Sequence, residues 1–139
     1  MHLVFDNIFG KIFYNETDKM YKIQWMDATE DLVDTDFQAF LLQFTNILKN
    51  QNAETLFVDA TKKLFVMSNE IQEWHDNVIV PQYISSGLRK IAFHTANNDM
   101  VEISLELTFD EENSQKLQTR FFNSGELAKE WLIKETVAV

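Results

Sequence analysis

Three side chains in this sequence are of the types that nucleophilic chemistry uses: Asp59, Thr61 and His94. Asp59 and Thr61 stand at the downstream end of the apolar run Leu56-Phe57-Val58, and His94 closes a second run, Ile91-Ala92-Phe93. If the two runs are neighbouring strands, a carboxylate, an imidazole and a hydroxyl converge, as in activated nucleophiles. No Gly-rich elbow and no evident oxyanion hole accompanies them. The structural reading is therefore preferred: Asp59 caps the following loop by accepting backbone N–H bonds, and His94 is a satisfied structural residue. Thr61 is the only hydroxyl near this strand end, and so the one candidate there for phosphorylation.

The remaining polar groups are sparser. Lys62-Lys63 follows Asp59 and could hold an anion beside it, while Arg89-Lys90 precedes the second run and belongs at the opposite end of a parallel sheet. Ordinary solvation is the simpler reading for both pairs. His75 adjoins Trp74, and His2 lies far away at the terminus. No spacing of His with Asp or Glu makes a known metal set, so neither metal nor cofactor is expected. Trp25 and Phe65-Val66-Met67 fall near expected loop ends, where exposed large apolar residues would mark a contact surface.

The elements that must position these groups follow from hydrophobic period. Leu56 to Val58, bounded by polar sequence, reads as a strand buried on both faces, as in a parallel sheet covered by helices. Such sheets bind ligands beyond the downstream ends of their strands. Residues 3–14 are rich in β-branched and aromatic types and read as one strand. Asn15-Glu16-Thr17-Asp18 is a turn signal, and Tyr21, Ile23 and Trp25 alternate with Lys22 and Gln24, which gives an antiparallel strand pair at the N-terminus. Phe37, Phe40, Leu41, Phe44, Ile47 and Leu48 form one helical stripe, with Thr35 and Gln38 as a capping box. A second helix starts near Asn69 and buries Ile71, Trp74, His75 and Val78. Pro81 should kink or interrupt it, and Gly87 suits a left-handed terminus. Strict alternation over 99–109 argues for a strand, although Asn97-Asn98-Asp99 is a plausible helix cap. Leu117 to Phe122 reads as the last strand. A final helix carries Asn123 and Glu126 as its cap and buries Leu127, Ala128, Trp131 and Leu132.

At 139 residues the chain is read as one domain with room for a substantial core. Twelve Phe, three Trp and three Tyr supply its bulk, and the absence of Cys removes disulfides and thiolate chemistry. The net charge of −10 disfavours a bare phosphate backbone and an anionic membrane surface. Solubility is the simplest reason for the acidity, and a basic partner is the alternative. Asp6 interrupts the first residues early, so no signal peptide is expected, and apolar runs are far short of a membrane span. The expected location is the cytoplasm.

The order and spacing of several pieces resemble the STAS superfamily, the sulfate-transporter and anti-sigma-factor-antagonist fold, and within it the small stand-alone bacterial branch. The pieces run from Tyr21 to Leu132. They are the strand ending in Trp25, Leu56-Phe57-Val58-Asp59, Glu73-Trp74 followed by Val80-Pro81, Gly87 to Phe93, Arg120-Phe121-Phe122 and Leu127 to Leu132. The resemblance implies an α/β two-layer sandwich, with a mixed four- to five-stranded sheet and about four helices, the segment 99–109 being one of them. It also implies regulatory protein contacts rather than catalysis. The Asp-Ser-Ser-Gly-like turn phosphorylated in anti-sigma-factor antagonists is absent; Asp59-Ala60-Thr61-Lys62 stands in its place. The expected function is a non-enzymatic, dimeric interaction domain. It would dock a protein partner, such as a signalling regulator, through a rim that includes Trp25, Asp59, Thr61, Lys62 and His94. Binding of a small apolar or anionic ligand between sheet and helices is the alternative, and a hydrolase-like enzyme built on Asp59, His94 and Thr61 a more remote one.

Overall fold

A computed structural model describes residues 1–62, 65–95 and 117–134. The segment 99–109 and Lys63 lie outside the described residues. The architecture is α/β, built on a six-stranded mixed sheet with the strands side by side in sequence order. Strands β1 (His2–Asp6), β2 (Gly10–Asn15) and β3 (Met20–Trp25) form an antiparallel meander. Strands β4 (Thr55–Ala60), β5 (Lys90–Thr95) and β6 (Gln118–Phe122) continue it in parallel with β3.

The sheet therefore has more strands than the four or five expected, because residues 3–14 are two strands rather than one. Asn7 makes the break. Its side-chain oxygen accepts the backbone N–H groups of Phe9 and Gly10 at 2.9 and 3.1 Å, and its own N–H donates to the Gly10 carbonyl. Local side-chain bonds of this kind are how Asn outcompetes a strand ladder. The next turn falls where Asn15 to Asp18 signalled it, with Asn15 and Asp18 hydrogen-bonded to each other and Lys19 at φ +49°.

Helix α1 (Asp34–Asn50) returns the chain from the end of β3 to the start of β4. Its stripe is buried as its spacing requires: Phe37, Phe40, Leu41, Phe44 and Leu48 face the sheet. The cap differs from expectation. Asp36, rather than Gln38, reaches back, accepting the Val33 N–H at 3.3 Å. Between β4 and β5 the chain is helical from Asn69 to Ser85, as α2 (Asn69–Trp74), one π turn (His75–Ile79) and α3 (Val80–Ser85). Pro81 explains the π turn. It cannot donate to the carbonyl four residues back, and the widened turn lets Val80 N–H reach His75 instead. The extra residue rotates the buried face: Ile79, Val80 and Tyr83 go inward and Val78 turns out, against expectation. Gly87, at φ +94°, ends the rod. Its N–H bonds to Ile84 and that of Leu88 to Tyr83, the paired bonds of a left-handed helix stop.

Helices α1 and α2–α3 cover one face of the sheet over Ile12, Tyr21, Ile23, Leu56, Val58, Ile91 and Phe93. Helix α4 (Gly125–Ile133), capped by Ser124 rather than Asn123, lies on the opposite face over Met20, Phe57 and Ala92. Its Ala128 and Leu132 are buried, but Leu127 is exposed. Helices thus occupy both faces, and the two-layer arrangement is replaced by three layers over the parallel strands. Among the described residues no helix is long and apolar enough to cross a membrane.

Candidate functional site

Period-two alternation sends successive residues of each strand to opposite faces. In β4, Leu56, Val58 and Ala60 enter the large core, so Thr55, Phe57 and Asp59 face the α4 side. The ladder then fixes who stands beside whom. Gln24 pairs with Asp59, Asp59 with His94, and His94 with Phe122, one row across the downstream ends of β3 to β6. Neighbouring strands lie about 4.8 Å apart, so the condition on which Asp59 and His94 would approach each other, adjacent strands, is met. Both are half-buried.

Asp59 Oδ1 accepts the Thr61 hydroxyl at 2.7 Å and the Thr61 N–H at 3.1 Å, and no hydrogen bond links Asp59 to His94. The carboxylate closes the turn that ends β4. The hydroxyl that would act as nucleophile is held by the acid rather than by the imidazole, the reverse of the order that activation needs. His94 packs against the Phe57 ring, with centroids 6.4 Å apart, and beneath the first turn of α4. A Cβ on Gly125 would come within 3.3 Å of His94 Nδ1, so a glycine here lets the helix start close against the imidazole.

Lys62 is exposed, and its carbonyl accepts the Thr29 hydroxyl at 3.1 Å, which ties the 61–62 turn to the 3₁₀ segment Asp27–Asp31. Trp25 does not belong to any rim. It is 3% exposed, stacked on Phe37 at 5.8 Å and tilted against Phe40 at 4.7 Å. Its alternation with Tyr21 and Ile23 sends it inward, and the first turns of α1 start over the same strand end. Phe65 and Met67 are likewise buried; of that trio only Val66 is exposed. Among the described residues no group of three His, Asp or Glu side chains could hold a metal ion.

Other residues on the α4 face are more accessible than Trp25. Lys22 Nζ lies 5.7 Å from the ring centroids of both Phe13 and Phe57, and Lys129 Nζ lies 5.7 Å from Phe57 on the helix side. Phe13, Lys22 and Gln24 are half-buried, and Leu3 beyond Phe13 is exposed. Among the described residues, helix α4 packs on β4, β5 and β6 rather than on β2 and β3. The signal for these residues lies in the alternation of Lys22 and Gln24 with the core residues of β3, which turns them away from the large core.

Of the remaining basic and imidazole groups, Lys90 departs from expectation, whereas His75 is buried as its helix face requires. Lys90 is 4% exposed rather than solvated. Its ammonium donates to the Trp131 and Lys134 carbonyls at 3.1 and 2.9 Å and closes the C-terminal end of α4. Burial, then Arg89 and Lys134, lowers its pKa. Arg89 pairs at the surface with Glu54, 3.3 Å away. His75 is buried in the π turn against Tyr83, and desolvation lowers its pKa to about 4 although Asp76 opposes the shift. Both lie away from the downstream rim and serve packing.

No family model, no curated protein and no solved structure matches this chain.

Proposed function

We propose that the chain is a non-enzymatic, STAS-like regulatory or protein-interaction domain that docks a protein partner through the downstream ends of its strands on the α4 side. The observation that carries this reading is the in-register row Gln24, Asp59, His94, half-buried and flanked by Lys22 over Phe13. A surface that mixes aromatic faces with a few fixed polar groups suits recognition better than turnover. The engagement of Thr61 by Asp59 argues in the same direction, since it takes the hydroxyl away from His94. On the other face, the packing of Phe40, Phe44, Leu48 and Ile79 at 0–2% exposure disfavours an apolar ligand held between sheet and helices.

Thr61 is where such docking could be switched. A phosphate on its oxygen would break the 2.7 Å bond to Asp59 and set two negative groups against each other, opening the turn. The experiment is affinity capture from the native host with the wild-type chain, Lys22→Glu and a control, Lys49→Glu, on the exposed last turn of α1. A partner retained by wild type and control but lost by Lys22→Glu supports the reading. Equal retention by all three refutes it. Mass spectrometry of the native protein checks the switch, which is removed if Thr61 carries no phosphate and Thr61→Glu captures the same partner with the same yield.

A further inference from the structure

A second surface lies at the same end of the sheet but on its α1 side. The turn between β1 and β2 and the first turns of α1 enclose a groove of about 270 Å³, lined by Phe5, Asn7, Phe9, Asp36, Phe40 and Gln43. Its floor is aromatic. The Phe5 ring meets Phe40 edge-on at 5.6 Å, and Phe40 sits deep because Gly10 has no Cβ, which would lie 3.0 Å from the Phe40 ring. Phe5 and Phe9 are only half-buried, so parts of both rings remain accessible.

The wall is acidic. Asp36 lines the groove itself, and Asp27, Glu30, Asp31 and Asp34 stand exposed on the segment that leads into it. No Lys or Arg occurs between Lys22 and Lys49, and the base that the fold brings to this segment, Lys62, stands beside Thr29 in the Asp27–Asp31 turn rather than among the residues that line the groove. An aromatic floor beneath an acidic wall is complementary to a cation on an apolar stem. The ring faces attract the charge, the stem packs against them, and the carboxylates steer the approach. A second copy of this chain, at net charge −10, would be repelled. A nucleic-acid backbone would be repelled for the same reason.

We propose that this groove docks a lysine or arginine side chain from a basic segment of a protein partner. The inference is independent of the α4-side rim, because it rests on different residues across the sheet. The test is a titration of the intact, isotope-labelled protein with a capped peptide of alternating Gly and Arg, with Gly–Glu and Gly–Ser peptides as controls, followed by NMR. The expected result is shifts centred on Phe5, Phe9 and Gln43 with the Arg peptide alone. Phe9→Ser should weaken binding by roughly twofold to thirtyfold, the range a cation–π contact supplies, and Asp36→Asn by up to about fivefold, the range of an exposed ion pair. Asn at position 36 can still accept the Val33 N–H, so the helix start is preserved. Shifts scattered over the acidic surface, or an affinity that neither variant alters, would overturn the proposal. Loss of partner capture by Lys22→Glu bears only on the rim, so the two readings fail separately.

Discussion

On the α1 side of the sheet, Ile12, Tyr21, Ile23, Leu56, Val58, Ile91 and Phe93 meet a layer made of Phe37, Phe40, Leu41, Phe44, Leu48, Ile79 and Val80, all nearly inaccessible to water. On the α4 side the corresponding rows carry Lys22, Gln24, Asp59, Lys90, His94 and Arg120 among Met20, Phe57 and Ala92. Among the described residues, one nine-residue helix packs over them. Stability is concentrated on the first face and polar chemistry on the second. A fold that commits one face to a dry aromatic core can leave the other free to present charge, since folding does not depend on that second face being sealed.

The comparison breaks most visibly through Phe44. It is fully buried, edge-on to Tyr21 at 5.5 Å and to Tyr83 at 5.8 Å. Phe44→Ala should cost about 3–5 kcal/mol by removing a ring that its neighbours cannot replace. Urea unfolding measures this, and a cost below about 1 kcal/mol would mean the α1 face does not carry the stability assigned to it.

Acid probes the same face through His75. Its folded pKa is about 4, below the ordinary 6.5, so the unfolded chain binds a proton that the native one refuses. The stability contributed is complete above pH 6.5, falls as pH drops toward 4 and is then exhausted. The span corresponds to roughly 3 kcal/mol. His75→Gln should flatten that part of the stability–pH curve. An unchanged slope between pH 6.5 and 4 would show that His75 is not held neutral.

Elements with one clear period were readable from the sequence. The α1 stripe and the Leu56-Phe57-Val58 strand follow from spacing alone, because burial forces that spacing, while the neighbourhood of Asp59 and His94 followed only on the condition that their strands adjoin. Misreadings came where a single residue outweighs the pattern. Asn7 splits residues 3–14 through two side-chain bonds, and Pro81 inserts a π turn that moves Val78 out of the core. Trp25 was misplaced for a different reason. Its inward alternation was visible, but whether a strand end is covered depends on where the next helix begins, which is a tertiary fact. The Asp59 site was legible as a location, not as a geometry, since nothing in the spacing says whether Thr61 will turn toward the carboxylate or the imidazole.

The smallest expected effect belongs to the α4 face and sharpens the contrast. Lys90 is the one strongly buried cation among the described residues, and its two bonds to the Trp131 and Lys134 carbonyls hold the last turn of α4 against the start of β5. The ammonium also lies 5.1 Å from the Trp131 ring centroid. Charged hydrogen bonds of this kind contribute about 1.5–3 kcal/mol each to the group they satisfy, but dehydration of the ammonium offsets much of that. Lys90→Met keeps most of the volume and removes both the charge and its cost, so the net loss should be about 1 kcal/mol. Hydrogen exchange then distinguishes the faces. Amides of α4 should exchange faster in the variant while those of α1 keep wild-type protection, because among the described residues α4 packs on this face of β4, β5 and β6 and not on α1. Equal acceleration in α1 would mean the two faces unfold as one unit, and the division of labour between them would then hold for chemistry but not for stability.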